Sequence, residues 1–363
     1  MNQTPKISMI MSVYNGQDYL EEAIDSVLQQ SLQDWELIVI NDCSTDNTSE
    51  ILERYAAKDS RIRVYTNDVN LRLPASLNKA MSHASGKYIA RMDADDICLP
   101  DRLEKQCAFM EGHPDVALSS CRFLTLKNGV IASGGGGGRC GSASLKSRLL
   151  VTNPILHPGV IAKTEVIRSL GYDPRFTCTE DLELWTRFVM NGHKVQIQPA
   201  YLMIYRLHDK QITATTLERQ HQEVLKIQKT YYTKFLQPMT PDQEQFYITG
   251  IYFRENIDTD QFCRFNRWLR SANRKTRAFT PGSVCYAMLD ILAEYKRKGI
   301  SKAELTKCLL SFAPFSLFRE IMVRKQRAWL DGYRCIEAAK KIGLKKTGGT
   351  LAYPFFQNED IGV

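Results

Sequence analysis

Apolar and polar positions along the first hundred residues alternate between two periods. Residues 7–13 are an apolar strand pattern, and 17–30 then place Tyr19, Leu20, Ala23, Ile24, Val27 and Leu28 on one helical stripe. Residues 35–40 are a mostly apolar run, the form of a strand buried on both faces. The polar stretch Asp42-Cys-Ser-Thr-Asp46 offers caps for a helix running to about residue 57. A strand at 62–65, a helix at 74–84 and a strand at 88–92 follow, and Pro100 is predicted to open another helix to about residue 110. Such alternation predicts a parallel sheet with right-handed crossovers, whose ligands bind at the carboxyl ends of the strands. The polar residues at those ends, Asn15, Asn41-Asp42 and Asp93-Ala94-Asp95-Asp96, should therefore meet in one crevice.

Beyond residue 110 the pattern is looser. Gly134 to Gly138 are five glycines in a row, read as a surface loop or as a loop that orders over substrate. Residues 194–207 look like strands again, and Trp185 sits on a helix before them. From about residue 215 the chain turns helical, basic and Tyr-rich, which places a boundary between 1–214 and 215–363. Charge marks the same place: residues 1–215 hold 23 Lys and Arg against 25 Asp and Glu, and residues 216–363 hold 25 against 15. The basic excess thus belongs to the second part and points to an anionic partner. Ten scattered cysteines without a C-x-x-C pair argue against a zinc ribbon or a disulfide framework and for reduced, buried thiols. With no signal-peptide pattern at the N-terminus and no uncharged stretch of about 20 residues, the expectation is a cytoplasmic protein able to lie on the inner face of the membrane.

Four constellations carry chemistry. Asp93, Asp95 and Asp96 put three carboxylates within four residues; their repulsion is relieved by a hard divalent cation, or they cap the next helix. Asp42 can accept a hydrogen bond from a nucleobase N–H, or serve as an N-cap. Glu180-Asp181 stand at a helix start, where one carboxylate is free to act as a general base towards a sugar hydroxyl, or where both complement the helix dipole. Arg206 and His208 supply a phosphate-binding fork and an imidazole metal ligand, or a structural pair.

Taken in order, these segments resemble glycosyltransferase family 2. The resemblance lies in Ile10-Met-Ser-Val-Tyr-Asn15, in Glu36 to Thr48 (with Cys43 in place of the usual Gly) and in Asn70 to Asn78 (with Arg72 where a Gly is common). It continues through Gly86 to Asp96, His157-Pro158, Thr179 to Arg187 and Arg206-Leu-His208. It covers about 60% of the chain and none of roughly the last 150 residues. The family implies an α/β GT-A fold, a Rossmann-like mixed sheet that binds nucleotide-diphospho-sugars, here followed by a helical C-terminal extension. It implies an inverting, metal-dependent hexosyl- or N-acetylhexosaminyl-transferase. Ser12, Tyr14, Asn15 and Asp42 would line the nucleoside pocket, Asn78 and Asp93 would hold the nucleotide, and Arg206 would contact phosphate. Asp95 and His208 would bind Mn²⁺ or Mg²⁺, Asp181 would be the base with Glu180 beside it, and Trp185 would pack their helix. The donor would be a nucleotide sugar, most often a UDP-sugar, and the acceptor a glycan or lipid-linked glycan in surface polysaccharide synthesis.

Two rival readings use the same acids. A sugar nucleotidyltransferase would carry a Gly-rich, Lys/Arg-containing phosphate loop after its first strand, which Ser12-Val-Tyr-Asn-Gly16 is not. A non-catalytic nucleotide-sugar-binding or scaffold protein is opposed by the intact Asp93, Asp95 and Asp181. In the second part, residues 306–323 are Phe-rich and followed by Arg324-Lys325-Gln326-Arg327, which fits a membrane-surface or acceptor-binding element, or a core helix interrupted at Pro314. Basic clusters at Arg264/Arg267/Arg270, Arg274/Arg277 and Lys296/Lys298 fit the same anionic surface. No nucleic-acid-binding module is recognisable, so nucleic acid is not an expected partner.

Overall fold

The computed structural model describes residues 4–134, 141–209 and 216–312, together with the backbone of two short strands at 345–347 and 350–352. The expected alternation is present: β1 (Ile7–Val13), α1 (Leu20–Leu28), β2 (Trp35–Asn41), α2 (Thr48–Lys58), β3 (Ile62–Thr66), α3 (Arg72–His83) and β4 (Tyr88–Arg91). Next come β5 (Ile97–Cys98), α4 (Arg102–Gly112), β6 (Val116–Lys127), β7 (Val130–Ser133), α5 (Ser142–Arg148), β8 (Ile161–Lys163), α6 (Thr164–Leu170), α7 (Glu180–Met190) and β9 (Lys194–Arg206). Helices α8 (Leu217–Phe235), α9 (Pro241–Phe246), α10 (Thr259–Thr276), α11 (Pro281–Arg297) and α12 (Lys302–Leu310) follow, then β10 (Lys345–Thr347) and β11 (Thr350–Ala352). Two local readings are corrected. Pro100 does not open α4, which starts at Arg102 with Asp101 as N-cap, because Asp96 is followed directly by the short strand β5. Residues 194–207 form one long strand, kept continuous across three register shifts against β6.

The sheet is mixed, not parallel throughout. Its order is β10-β11-β7-β6-β8-β4-β1-β2-β3, with β9 beside β6 and β5 on β9. Strands β3, β2, β1 and β4 run parallel. The short strand β8 is antiparallel to both β4 and β6, and β9 is parallel to β6. Two reversals restore the direction, so β9 ends at the same edge as β1, β2 and β4. That is how Leu207-His208, after β9, reach the crevice made by loops more than a hundred residues earlier. At the opposite end of β4, Gly86 packs so closely that a Cβ would lie 2.6 Å from the Ser8 backbone nitrogen, and only glycine fits there.

The helices after residue 216 share an apolar core with the first part. One buried cluster runs from Ile38 and Leu77 through Trp185 and Phe188 to Tyr232, Phe262, Ile291 and Tyr295. Polar bonds cross the same seam: the Tyr231 and Tyr232 hydroxyls donate to the carbonyls of Lys146 (2.8 Å) and Leu150 (3.1 Å), and Gln228 donates to Leu149 O (2.8 Å). Among the described residues eight cysteines have free thiols, and six of them are buried. No helix among the described residues is long and apolar enough to cross a membrane. Residues 135–138 of the glycine run, residues 313–323 of the Phe-rich run and the basic 324–327 lie outside the described residues.

A shared core predicts shared melting. Ile291, fully buried in α11, makes Ile291→Ala cost about 2–5 kcal/mol. Calorimetry should show one endotherm moving down as a whole. Two endotherms, with only one displaced, would mean that the helices after 216 fold by themselves.

Candidate active site

Each loop of the crevice is fixed by local bonds before any ligand is considered. Asn15 follows β1 with φ 52°; its Oδ1 accepts from Thr45 N (2.8 Å) and its N donates to Ser44 Oγ (3.0 Å). Asp42, after β2, is buried and is not a helix cap. Its Oδ1 accepts from Asn67 Nδ2 (2.7 Å) and Leu71 N (2.8 Å). Cys43 and Arg72, with φ 63° and 68°, occupy left-handed conformations, each costing about 1–2 kcal/mol relative to glycine. These are the two positions at which the family resemblance expected glycine. Ser12, the last residue but one of β1, is half-buried and Tyr14 is 52% exposed.

The acid loop after β4 is held by a buried guanidinium. Arg91 is 2% exposed and forks onto both oxygens of Asp93. Burial pushes the Asp93 carboxyl up to about 6, Arg91 opposes that shift, and Asp95 adds to it. Asp96 is fully buried. Its Oδ1 accepts from Arg206 N (2.9 Å), its Oδ2 has no partner among the described residues, and burial with two acid neighbours raises its pKa well above the carboxylate range. Asp95 is half-buried, with Oδ2 3.0 Å from His208 Nε2.

Glu180 and Asp181 start α7 after a turn that is clamped from beyond the expected boundary. On α8, the Glu223 carboxylate accepts from Thr177 N (3.3 Å), Cys178 N (3.1 Å) and Thr179 Oγ1 (2.8 Å). Asp181 accepts from Asn153 Nδ2 (2.6 Å) and Leu182 N (2.7 Å); burial raises its pKa and these bonds offset part of the rise. Glu180 is buried and, through burial and then the charge of Asp181, pushed up to about 8. Nearby, His157 is held neutral by burial and by Arg91; its Nε2 meets the Tyr172 hydroxyl at 2.7 Å. Trp185 is fully buried and meets His157 edge-on, a packing residue as expected.

Two adjoining cavities open on these groups. One, of about 490 Å³, is lined by Ser12, Tyr14, Asn15, Asp42, Asp93, Asp95 and His208, and by Arg72 and, from α8, Arg219. The other, of about 340 Å³, is lined by Arg91, His157, Glu180, Asp181 and Tyr205. They share Leu73, Asp93, Asp95, Cys178 and His208, so the acid loop and the Glu180-Asp181 pair face one continuous space. Two expected members do not reach it. Asn78 lines neither cavity, because its amide is spent on the chain, donating to Tyr172 O (2.8 Å) and accepting from Tyr172 N (2.8 Å). Arg206 also lines neither. Its guanidinium pairs with Glu22, donates to Asp95 O (2.8 Å) and stacks over Tyr19 at 4.6 Å, underpinning the acid loop from below. Conversely, sequence reasoning missed Arg91, Asn153 and Glu223. Only Arg91 carried a signal, as the single charge in a strand otherwise buried on both faces.

The donor set fits a hard divalent cation. Ligand oxygens of Asp93, Asp95 and Asp96 lie within 4.8 Å of one another. The 3.0 Å between Asp95 Oδ2 and His208 Nε2 matches the edge of an octahedron with bonds of about 2.1 Å, and Asp96 Oδ2 is a buried oxygen without a partner among the described residues.

Known proteins share this frame. The model of Glycosyl transferase family 2 matches residues 8–133. The putative glycosyltransferase EpsE of Bacillus subtilis is 40% identical over 198 residues, 53% of this chain and 70% of that protein. The O-antigen biosynthesis glycosyltransferase WbnJ of Escherichia coli is 31% identical over 225 residues, 58% of this chain and 83% of WbnJ. Among solved structures, Staphylococcus aureus TarS 1–349 in complex with UDP-GlcNAc superposes with TM-score 0.55 at 16% identity, covering 98% of each chain. The mannosyltransferase PcManGT of Pyrobaculum calidifontis, in complex with GDP-Man and Mn²⁺, gives 0.51 at 18% identity, covering 94% of this chain and 87% of PcManGT. The mixed sheet is thus the GT-A fold with a helical C-terminal region. With EpsE and WbnJ each matched above 30% identity across more than two thirds of their length, the chain belongs to glycosyltransferase family 2.

Proposed function

We propose that this enzyme moves a sugar from a nucleotide sugar, a UDP-sugar in the first instance, onto a hydroxyl of a glycan or lipid-linked glycan, with inversion at the anomeric carbon. The observation that carries this reading is the single space shared by the acid loop and Asp181. Ser12, Tyr14, Asn15 and Asp42 would receive the nucleoside, and Asp93 the ribose. Asp95 and His208, with Asp93 and Asp96 beside them, would hold Mn²⁺ or Mg²⁺. Such an ion neutralises charge on the departing nucleoside diphosphate. Asp181, oriented by Asn153 and the Leu182 N–H, takes the acceptor's hydroxyl proton. The acceptor oxygen bonds to the anomeric carbon as the carbon–oxygen bond to the diphosphate breaks. Glu180, buried beside it and pushed up to about 8, favours its protonated form at neutral pH, which lessens the repulsion on Asp181.

The name of WbnJ supports a role in surface polysaccharide synthesis, and the UDP-GlcNAc complex of TarS supports a uracil donor. We place catalysis in 1–214. Residues 215–363 are a basic region that meets the acceptor or an anionic membrane surface at the cytoplasmic face.

Three outcomes test the reading. In a panel of nucleotide sugars with Mn²⁺, Asp95→Ala should weaken metal-dependent donor binding at least about tenfold. Asp181→Asn should bind donor normally while its turnover falls by about 10²–10⁴; wild-type transfer by that variant would remove Asp181 as the base. The third outcome concerns Glu180, whose carboxyl is raised from 4.5 to about 8 in the fold. The stability it contributes is therefore full below the unfolded value and is lost as pH climbs through the folded one. Metal-free Glu180→Gln should gain melting temperature over wild type by an increment that widens between about pH 5.5 and 8.5. An increment independent of pH would mean that Glu180 is already ionised in the fold.

A further inference from the structure

A third cavity, of about 750 Å³, lies between α10 and α11 and shares no lining residue with the two at the crevice. Its floor is apolar: Phe279, Val284 and Cys285 are all buried. Its rim carries three guanidiniums, Arg270, Arg274 and Arg277. Arg270 and Arg274 are four apart on one helix, where like charges repel, and burial together with Arg274 presses the Arg270 cation below its ordinary pKa. Arg270 spends one N–H on Ser311 O. Arg274 and Arg277 are exposed, and none of the three arginines has a carboxylate partner among the described residues. Arg277 ends α10 with φ 54°, a position usually given to glycine, and so stands at the mouth with its backbone in a disfavoured conformation. The first turn of the 17-residue α11 opens on the same rim.

We infer that this cavity binds a phosphate-bearing amphiphile, with the phosphate on the three guanidiniums and the first methylenes of its hydrocarbon chain over Phe279 and Val284. Uncompensated guanidiniums recognise a tetrahedral dianion by paired N–H donors. The apolar floor beneath them has no use for an anion alone but stabilises the chain attached to it. A free phosphate meets the rim only, and a neutral amphiphile meets the floor only.

The site is read by binding alone, so its failure and that of the transfer reading are separable. Full-length protein is titrated calorimetrically with octyl phosphate below its micellar concentration, with inorganic phosphate and with octyl glucoside. Octyl phosphate should bind at least about tenfold tighter than either, and Arg274→Gln/Arg277→Gln should lose about tenfold for octyl phosphate alone. Both substitutions are on exposed side chains, and an unchanged melting temperature and unchanged nucleotide binding would show the variant folded. Equal binding of inorganic phosphate would reduce the site to an anion patch and overturn the proposal. So would equal binding of octyl glucoside, or full retention of octyl phosphate by the double variant. A single Arg270→Gln substitution supplies the same readout if the double variant melts early.

Discussion

The crevice depends on one buried cation. Five carboxylates, Asp93, Asp95, Asp96, Glu180 and Asp181, converge from the loop after β4 and the start of α7, and bringing such groups together out of water is unfavourable. Arg91, nearly inaccessible to solvent, is the fixed countercharge. It forks onto Asp93 and moderates the pKa rise at Asp93, Asp96, Glu180 and Asp181, while its positive charge helps keep His157 neutral. A paired, buried guanidinium does not titrate, so it holds the loop in one geometry across the working pH range. Its strand is buried on both faces and cannot rearrange to let the charge out.

Much of the fold was legible because the local signals were strong. The runs at 7–13 and 35–40 have no alternative to burial, and the polar ends of those strands did meet at one edge. What could not be read was the sheet's middle. A three-residue strand, Ile161–Lys163, reverses direction twice between β4 and β6, and three residues carry no period. The same reversal decides where β9 ends, and hence that His208 joins Asp95.

The site was legible where a residue's chemistry is exposed to ligand and opaque where it is spent on the protein. Asp95, Asp181 and His208 reach the cleft. Asn78 and Arg206 have the right chemistry but use it internally, one on the Tyr172 backbone and the other on Glu22 and the Asp95 carbonyl. Nothing in composition or spacing separates those two uses, since an amide or a guanidinium serves either. Asn153 and Glu223 were opaque for the opposite reason. One is a loop polar residue, and the other sits four after Arg219 on an amphipathic helix, where a surface ion pair is the ordinary reading.

The grip of Glu223 on the Thr177–Thr179 turn reaches further than stability. Glu180 and Asp181 stand immediately after that turn, yet the side chain that fixes its backbone comes from α8, beyond the segment matched by the family model. The two halves therefore are not interchangeable parts. A chimera that joined a relative's first two hundred residues to foreign helices would keep the loops after β1, β2 and β4 and lose the clamp that sets the turn ahead of Glu180 and Asp181. Any regrafting of one half onto another scaffold would have to carry α8 along with the turn it holds.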